Sequence, residues 1–103
     1  MTAAGEISQG LWQKVFRKNQ DVVSRNVSGE MFLIPVKGRL ADMQKIFTLN
    51  PVAEFIWQEI DGMKSLGEIR GALVERFDVG EEEAAPDIEE FVSDLLAAEL
   101  IVE

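Results

Sequence analysis

The chain has 103 residues, of which 47% are hydrophobic and 28% charged, and these proportions predict one folded domain rather than a disordered or membrane-embedded chain. It contains no Cys, His or Tyr, which excludes disulfides and the usual thiolate and imidazole chemistry, and therefore argues against an enzyme or a transition-metal site. The net charge is −9, and residues 78–103 hold ten acidic residues and no basic one. Such a surface would repel a phosphate backbone and attract a neutral or basic peptide, or it serves only to keep the domain soluble.

The chain carries no sign of a membrane or of export. No apolar run approaches the roughly 20 residues that span a bilayer, and the first ten residues lack the basic and apolar regions of a signal peptide. A cytoplasmic protein without a membrane partner is therefore predicted. No cofactor and no metal is predicted either.

The first 20 residues are predicted to form an extension in front of a domain that spans residues 21–103. Apolar residues four apart, Leu11 with Val15 and Trp12 with Phe16, predict one short amphipathic helix in this extension. The helix is expected to pack loosely on the domain. The alternative is an arm that docks on a partner, because a Trp and a Phe beside basic residues are common in interfaces.

The chain then changes to a strand pattern. Two β-rich runs, Asp21–Val27 and Glu30–Val36, are joined by Ser28-Gly29 and predict a hairpin with a two-residue turn. The polar stretch Lys37–Gln44 is a predicted connection, and Lys45–Leu49 a third, shorter strand. Together these runs predict a small antiparallel sheet.

Three helices are predicted after the sheet. Asn50-Pro51 marks the start of the first and Asp61-Gly62 its end, and Ser65 with Glu68 has the spacing of a capping box for the second. The third is expected to hold Pro86 in its first turn, because proline deeper in a helix costs ~3 kcal/mol. Leu100–Val102 is a further short strand. Three short antiparallel strands followed by three helices predict an α+β domain of the winged helix-turn-helix type.

A series of short motifs continues through the second half of the chain in a fixed order. They are Leu49-Asn50, Ile56-Trp57, Asp61-Gly62, Ser65-Leu66, Glu68-Ile69, Phe77-Asp78, Asp87-Ile88, Phe91-Val92, Leu95 and Leu100-Ile101. In order and spacing they resemble the PqqD family, named for pyrroloquinoline quinone biosynthesis, over roughly residues 22–102. The sequence departs from the family at Glu99, where a Gly frequently precedes the closing Leu.

The resemblance implies a RiPP recognition element, a non-catalytic domain that binds the leader of a ribosomally made precursor peptide and hands it to a modifying enzyme, often a radical SAM protein. In such domains the leader lies as an added strand beside the third strand and against the last helix. The implied site residues are Lys45, Ile46, Phe47, Thr48, Leu49, Asp87, Glu90, Phe91, Asp94 and Leu95. Which precursor peptide and which enzyme would be involved stays open.

Elementary chemistry favours the same mode of binding. An exposed strand edge offers unpaired backbone groups to an extended peptide, apolar side chains near it could form pockets, and Asp87, Glu90 and Asp94 could pair with basic leader residues. The alternative is that Ile46, Phe47, Phe91 and Leu95 belong to the core and that Lys45 and the three acids are solvated surface. The same edge, or the Trp-containing extension, could also form a homodimer.

Two other classes of function fit parts of the sequence less well. A DNA-binding winged helix-turn-helix is the alternative to the adaptor, but the predicted third helix contains no Arg or Lys for phosphates and base edges, so no nucleic-acid partner is predicted. An enzyme would depend on a carboxylate such as Asp61, which is predicted to be a turn residue before Gly62.

Overall fold

The computed structural model describes residues 10–37 and 46–103. Its elements in chain order are β1 (Arg17–Lys18), β2 (Val22–Val27), β3 (Glu30–Pro35), β4 (Phe47–Leu49), α1 (Pro51–Glu59), α2 (Leu66–Phe77), α3 (Glu81–Ala97) and β5 (Ile101–Val102). Strands β2, β3 and β4 form one antiparallel sheet in that order, and the three helices follow it. The predicted α+β fold of the winged helix-turn-helix type is therefore confirmed.

The predicted hairpin forms with its predicted turn. Ser28 and Gly29 both have a positive φ, 53° and 84°, as the two central residues of a type I′ turn require. Val27 and Glu30 lie opposite each other next to the turn. The right-handed twist of this turn matches that of the two strands, so β2 and β3 pair along their full length.

The core lies between one face of the sheet and the helices. On that face every second side chain of β3, Met31 and Leu33, is buried beside Leu49 of β4, as the alternation of side chains along a strand requires. The helices supply most of the remaining core residues, which are Ile56, Trp57, Leu66, Ile69, Leu73, Ala84, Ile88, Val92 and Leu95. The packing of the helices on this face of the sheet places α3 beside β4.

Local capping groups begin the first two helices where the sequence predicts them. The Ala53 N–H donates to Asn50 Oδ1 at 2.8 Å, and Pro51 is the first helical residue of α1. At the start of α2 the Glu68 N–H donates to Ser65 Oγ at 3.2 Å, and the Ser65 N–H donates to Glu68 Oε1 at 2.8 Å. Both signals act within three residues, which is why they can be read from sequence.

The third helix begins earlier than predicted. It starts at Glu81 after the N-cap Gly80, so Pro86 is the sixth helical residue and the prediction of a first-turn position is wrong. Two effects support the extra turn: Ala84 is buried in the core, and three glutamates, Glu81 to Glu83, lie at the positive end of the helix dipole. Within the described ranges no helix, α3 included, is long and apolar enough to cross a membrane.

Helix α3 ends in a Schellman motif with an unusual residue in its left-handed position. The Leu100 N–H donates to the Leu95 carbonyl at 2.9 Å, and the Glu99 N–H donates to the Leu96 carbonyl at 3.0 Å. Glu99 has a φ of 60°. Glycine adopts this left-handed conformation most readily, because glycine has no Cβ. The departure from the family pattern noted above therefore falls on a strained backbone position.

We expect Glu99→Gly to stabilise the domain by about 1 kcal/mol, because it removes the steric cost of the left-handed conformation. Urea unfolding followed by circular dichroism measures the change. Ala97→Gly is the control, since the same substitution at the last helical residue should destabilise the domain by up to about 1 kcal/mol. A destabilising effect of both substitutions would contradict the account of Glu99.

The N-terminal segment differs from the predicted helix. Residues 10–13 are helical, but the predicted continuation through Phe16 is wrong: β1 is extended and pairs with β5. Phe16 is 2% exposed in the domain core, and its carbonyl accepts the Gly62 N–H at 2.9 Å. Burial of one aromatic ring outweighs the weak helical preference of so short a segment.

Contacts on the N-terminal side of Phe16 attach the same segment to the domain. The Leu66 N–H donates to the Lys14 carbonyl at 3.0 Å, and the Arg70 guanidinium stacks 4.4 Å from the centre of the Trp12 ring. We therefore propose that residues 10–20 belong to the same folded unit as residues 21–103 rather than to a separate extension.

Candidate functional site

The sheet has an open edge at β4. This strand pairs with β3 through Met31↔Leu49, Phe32↔Thr48 and Leu33↔Phe47, and no second strand pairs with it in the part of the chain that the structure describes. An edge of this kind presents backbone N–H and C=O groups that another extended chain can pair with.

The direction of the backbone groups in β3 follows from two observations. A two-residue turn makes Val27 and Glu30 a hydrogen-bonded pair, and beyond the other end of β3 the Val36 N–H donates to the Asp21 carbonyl at 2.8 Å. Even-numbered residues of β3 therefore direct their backbone groups to β2. The odd-numbered residues direct theirs to β4.

This pattern identifies the free groups on β4. Phe47 and Leu49 lie opposite the odd-numbered Leu33 and Met31, so their N–H and C=O groups are used by β3. Thr48, between them, directs its N–H and C=O away from the sheet. One exposed residue thus carries the central donor and acceptor of the open edge.

An apolar hollow of about 400 Å³ lies between β4 and the C-terminal half of α3. Leu49 and Leu95, 6% and 1% exposed, are its most buried members, whereas Phe47 and Phe91 are half-buried and can contact a ligand. Its lining residues are Phe47, Thr48, Leu49, Phe91, Asp94, Leu95, Ala97 and Ala98.

A second hollow of about 270 Å³ adjoins the first and is more polar. It lies between the start of α1 and the middle of α3, and Phe91 and Asp94 line both hollows. Its lining residues are Asn50, Val52, Ala53, Ile56, Asp87, Glu90, Phe91 and Asp94. We call the two hollows together the β4–α3 groove.

The acidic side chains of the groove share one face of α3. Asp87, Glu90 and Asp94 follow each other at spacings of three and four residues and are exposed, as neighbours on one helical face. The ion pairs found among the described residues involve other carboxylates. The negative charges of Asp87, Glu90 and Asp94 are therefore not neutralised by a basic side chain of residues 10–37 or 46–103.

The structure brings eight of the ten predicted site residues to this groove. They are Phe47, Thr48, Leu49, Asp87, Glu90, Phe91, Asp94 and Leu95. Ile46 is 57% exposed and lies just before β4, and it does not line either hollow. Lys45 lies outside the described residues.

Sequence reasoning missed the contribution of α1 to the groove. Asn50, Val52 and Ala53 line the second hollow, although the sequence indicated only that Asn50 marks the start of a helix. The two small residues at the end of α3, Ala97 and Ala98, were also missed. Small side chains leave room in a groove but give no distinct sequence signal.

Asp61, the carboxylate considered for catalysis, has a structural role. The N–H groups of Met63 and Lys64 donate to Asp61 Oδ1 at 2.9 and 3.1 Å, and these hydrogen bonds hold the pKa of the carboxyl below its ordinary value. The side chain closes the turn after α1, as predicted. In residues 10–37 and 46–103 no group of three or more potential metal-ligating side chains could hold a metal ion.

The fold and the groove define a small winged-helix-like domain whose sheet has an open edge beside an acidic helix. The family model described as "Coenzyme PQQ synthesis protein D (PqqD)" matches residues 30–101. The chain therefore belongs to the PqqD family. No curated protein matches it in sequence.

Two solved structures share the fold. "TbiB1 in Complex with the TbiA(beta) Leader Peptide" is 24% identical, with a TM-score of 0.68, and the alignment covers 82% of this chain and 93% of that one. "Lasso peptide synthetase B1 complexed with the leader peptide" is 19% identical, with a TM-score of 0.72, and the alignment covers 87% of this chain and all of that one. At these identities the likeness is one of fold.

Proposed function

We propose that this domain binds the leader of a ribosomally made precursor peptide as an added strand on β4 and presents the peptide to a modifying enzyme, such as a radical SAM protein. The observation that carries the proposal is the open edge at Thr48 beside the β4–α3 groove. Membership of the PqqD family and the leader peptides named with both structural neighbours support it. The domain itself is a non-catalytic cytoplasmic adaptor in this proposal.

Each part of the groove has a role in this mode of binding. Backbone groups of Thr48 pair with the peptide whatever its sequence, and Phe47 and Phe91 supply the accessible apolar walls above Leu49 and Leu95. Asp87, Glu90 and Asp94 attract basic residues. The exposed Ile46, just before β4, extends the proposed contact, and Lys45 is proposed as a further contact on the resemblance alone.

The DNA-binding alternative gains no support from the groove. Helix α3 carries seven acidic residues and no basic one, and such a helix repels a phosphate backbone. Arg70 of α2 is engaged with the Trp12 ring.

A backbone amide titration tests the proposal. We expect a precursor peptide encoded near this gene to shift the amide resonances of Thr48, Phe91 and Asp94, while Ser24 and Asn26 on the other edge of the sheet stay unchanged. The same titration with a scrambled peptide is the control. Shifts confined to β2, or equal shifts with the scrambled peptide, would contradict binding at β4.

A further inference from the structure

The pleat of β4 determines which side chains of an added peptide can reach the groove. A peptide residue opposite Thr48 places its side chain on the same face as Thr48, away from α3. Its two neighbours lie opposite Phe47 and Leu49 and point toward the helix. Only every second residue of the peptide therefore meets the groove.

The groove itself changes character along α3. Near Leu95 and Ala98 its wall is apolar, and toward Asp87 and Glu90 it is acidic. Glu90 and Asp87 precede Leu95 by five and eight positions, which corresponds to about 8–12 Å along a helix. An extended peptide advances about 3.3 Å per residue, so this distance corresponds to roughly two to four peptide residues.

From this geometry we infer, on the basis of the proposed function, that the β4–α3 groove selects a peptide with one apolar residue and one Lys or Arg at an even spacing. The two residues are two or four positions apart in the peptide (i,i+2 or i,i+4). The apolar side chain packs against Leu95 in the first hollow, between Phe47 and Phe91. The cation lies beside Asp87 and Glu90 in the second hollow, which Asp94 also lines. An odd separation places one of the two on the outer face of the sheet, where neither wall of the groove is present.

Strand β2 forms the other edge of the sheet, and comparison with it indicates why β4 is the edge that selects among peptides. By the same pattern of backbone groups, Val22, Ser24 and Asn26 of β2 direct their N–H and C=O groups away from β3. Val22, Ser24 and Asn26 do not line either hollow of the β4–α3 groove. Strand β2 could therefore pair with a peptide backbone, but the apolar and acidic walls described above belong to β4, α1 and α3.

Synthetic peptides of about ten residues test the inference by fluorescence anisotropy. In a neutral, β-prone background we place Leu and Lys two, three or four residues apart, and we include a peptide with Glu in place of Lys at the separation of two. The peptides with separations of two or four should bind about tenfold more tightly than the other two. Raising the salt concentration to about 0.5 M should narrow the difference between Lys and Glu.

Charge-removing variants of the domain locate the effect. Asp87→Asn and Asp94→Asn should each weaken binding of the better even-spaced peptide about threefold to tenfold and leave the Glu peptide unchanged or slightly tighter. Glu82→Gln is the matched control, because Glu82 is an exposed acid of the same helix outside the groove.

The outcomes separate this inference from the function on which it rests. Equal affinity for odd and even separations, equal affinity for Lys and Glu, or no binding of any synthetic peptide overturns the inference. The naturally encoded precursor peptide, titrated in parallel, tests the function itself. If that peptide binds at β4 while the synthetic set shows no parity, only the selection rule fails.

Discussion

Replacing Phe16 with alanine is expected to lower the free energy of unfolding by about 3–5 kcal/mol, the range for deletion of a fully buried aromatic ring. Phe16 is 2% exposed and packs in the same core as the helices. A domain of this size has a total stability of about 5–15 kcal/mol, so the variant should lose a large part of it. Urea unfolding followed by the fluorescence of Trp12 and Trp57 measures the effect.

The neighbouring residue provides the control for Phe16. Val15 is 37% exposed, and Val15→Ala should change the unfolding free energy by less than about 1 kcal/mol. The contrast tests whether residues 10–20 are part of the folded unit. Similar small effects of both substitutions would mean that the segment lies only loosely on the domain.

Thr48→Pro is expected to weaken peptide binding by at least about tenfold while the domain stays folded. Proline removes the N–H that faces the open edge, and its ring stands where an added strand would approach. Because this N–H does not pair with β3, the sheet loses no internal hydrogen bond, as is usual for proline on an edge strand. Isothermal titration calorimetry with the precursor peptide measures the affinity.

Two further variants separate the backbone effect from other causes. Thr48→Val changes the side chain but keeps the N–H, so its affinity for the peptide should stay within about twofold of the unsubstituted domain. Phe47→Pro removes an N–H that does pair with β3 and should destabilise the fold instead. If the folded Thr48→Pro domain binds the peptide normally, strand addition at β4 is refuted.

Several local elements were predictable because their signals lie within a few residues. The hairpin turn at Ser28-Gly29, the Asn50 cap and the capping box of Ser65 and Glu68 all depend on backbone conformation and hydrogen bonds over two or three residues. The open third strand beside an acidic helix also followed from the resemblance. The order of the elements from β2 to β5 was therefore available before any tertiary contact was known.

The start of α3 shows where local signals fail. Pro86 has a strong local preference for the first turn, yet the helix begins five residues before it at Glu81. Burial of Ala84 against residues distant in the chain favours the longer helix. A sequence reading that weighs proline alone cannot include this contribution.

The candidate site was only partly visible in the sequence for a similar reason. The residue types of the groove were predicted, but the division between them was not: Leu49 and Leu95 are buried, while Phe47 and Phe91 remain half-exposed. The part of the wall that comes from Val52 and Ala53 of α1 was missed. Which apolar side chains stay accessible depends on how two helices and a strand pack together.

By itself, the sequence determined the class of fold, the caps of α1 and α2, the hairpin and the acidic character of α3, because propensity, capping and charge act over one or two turns of chain. Only the tertiary structure decided that Phe16 enters the core, that β1 pairs with β5 from the opposite end of the chain, and that Thr48 carries the free backbone groups of the edge. These features depend on burial and on strand register between distant segments. The stabilising contacts join residues that are far apart in the sequence, so no local pattern contains them.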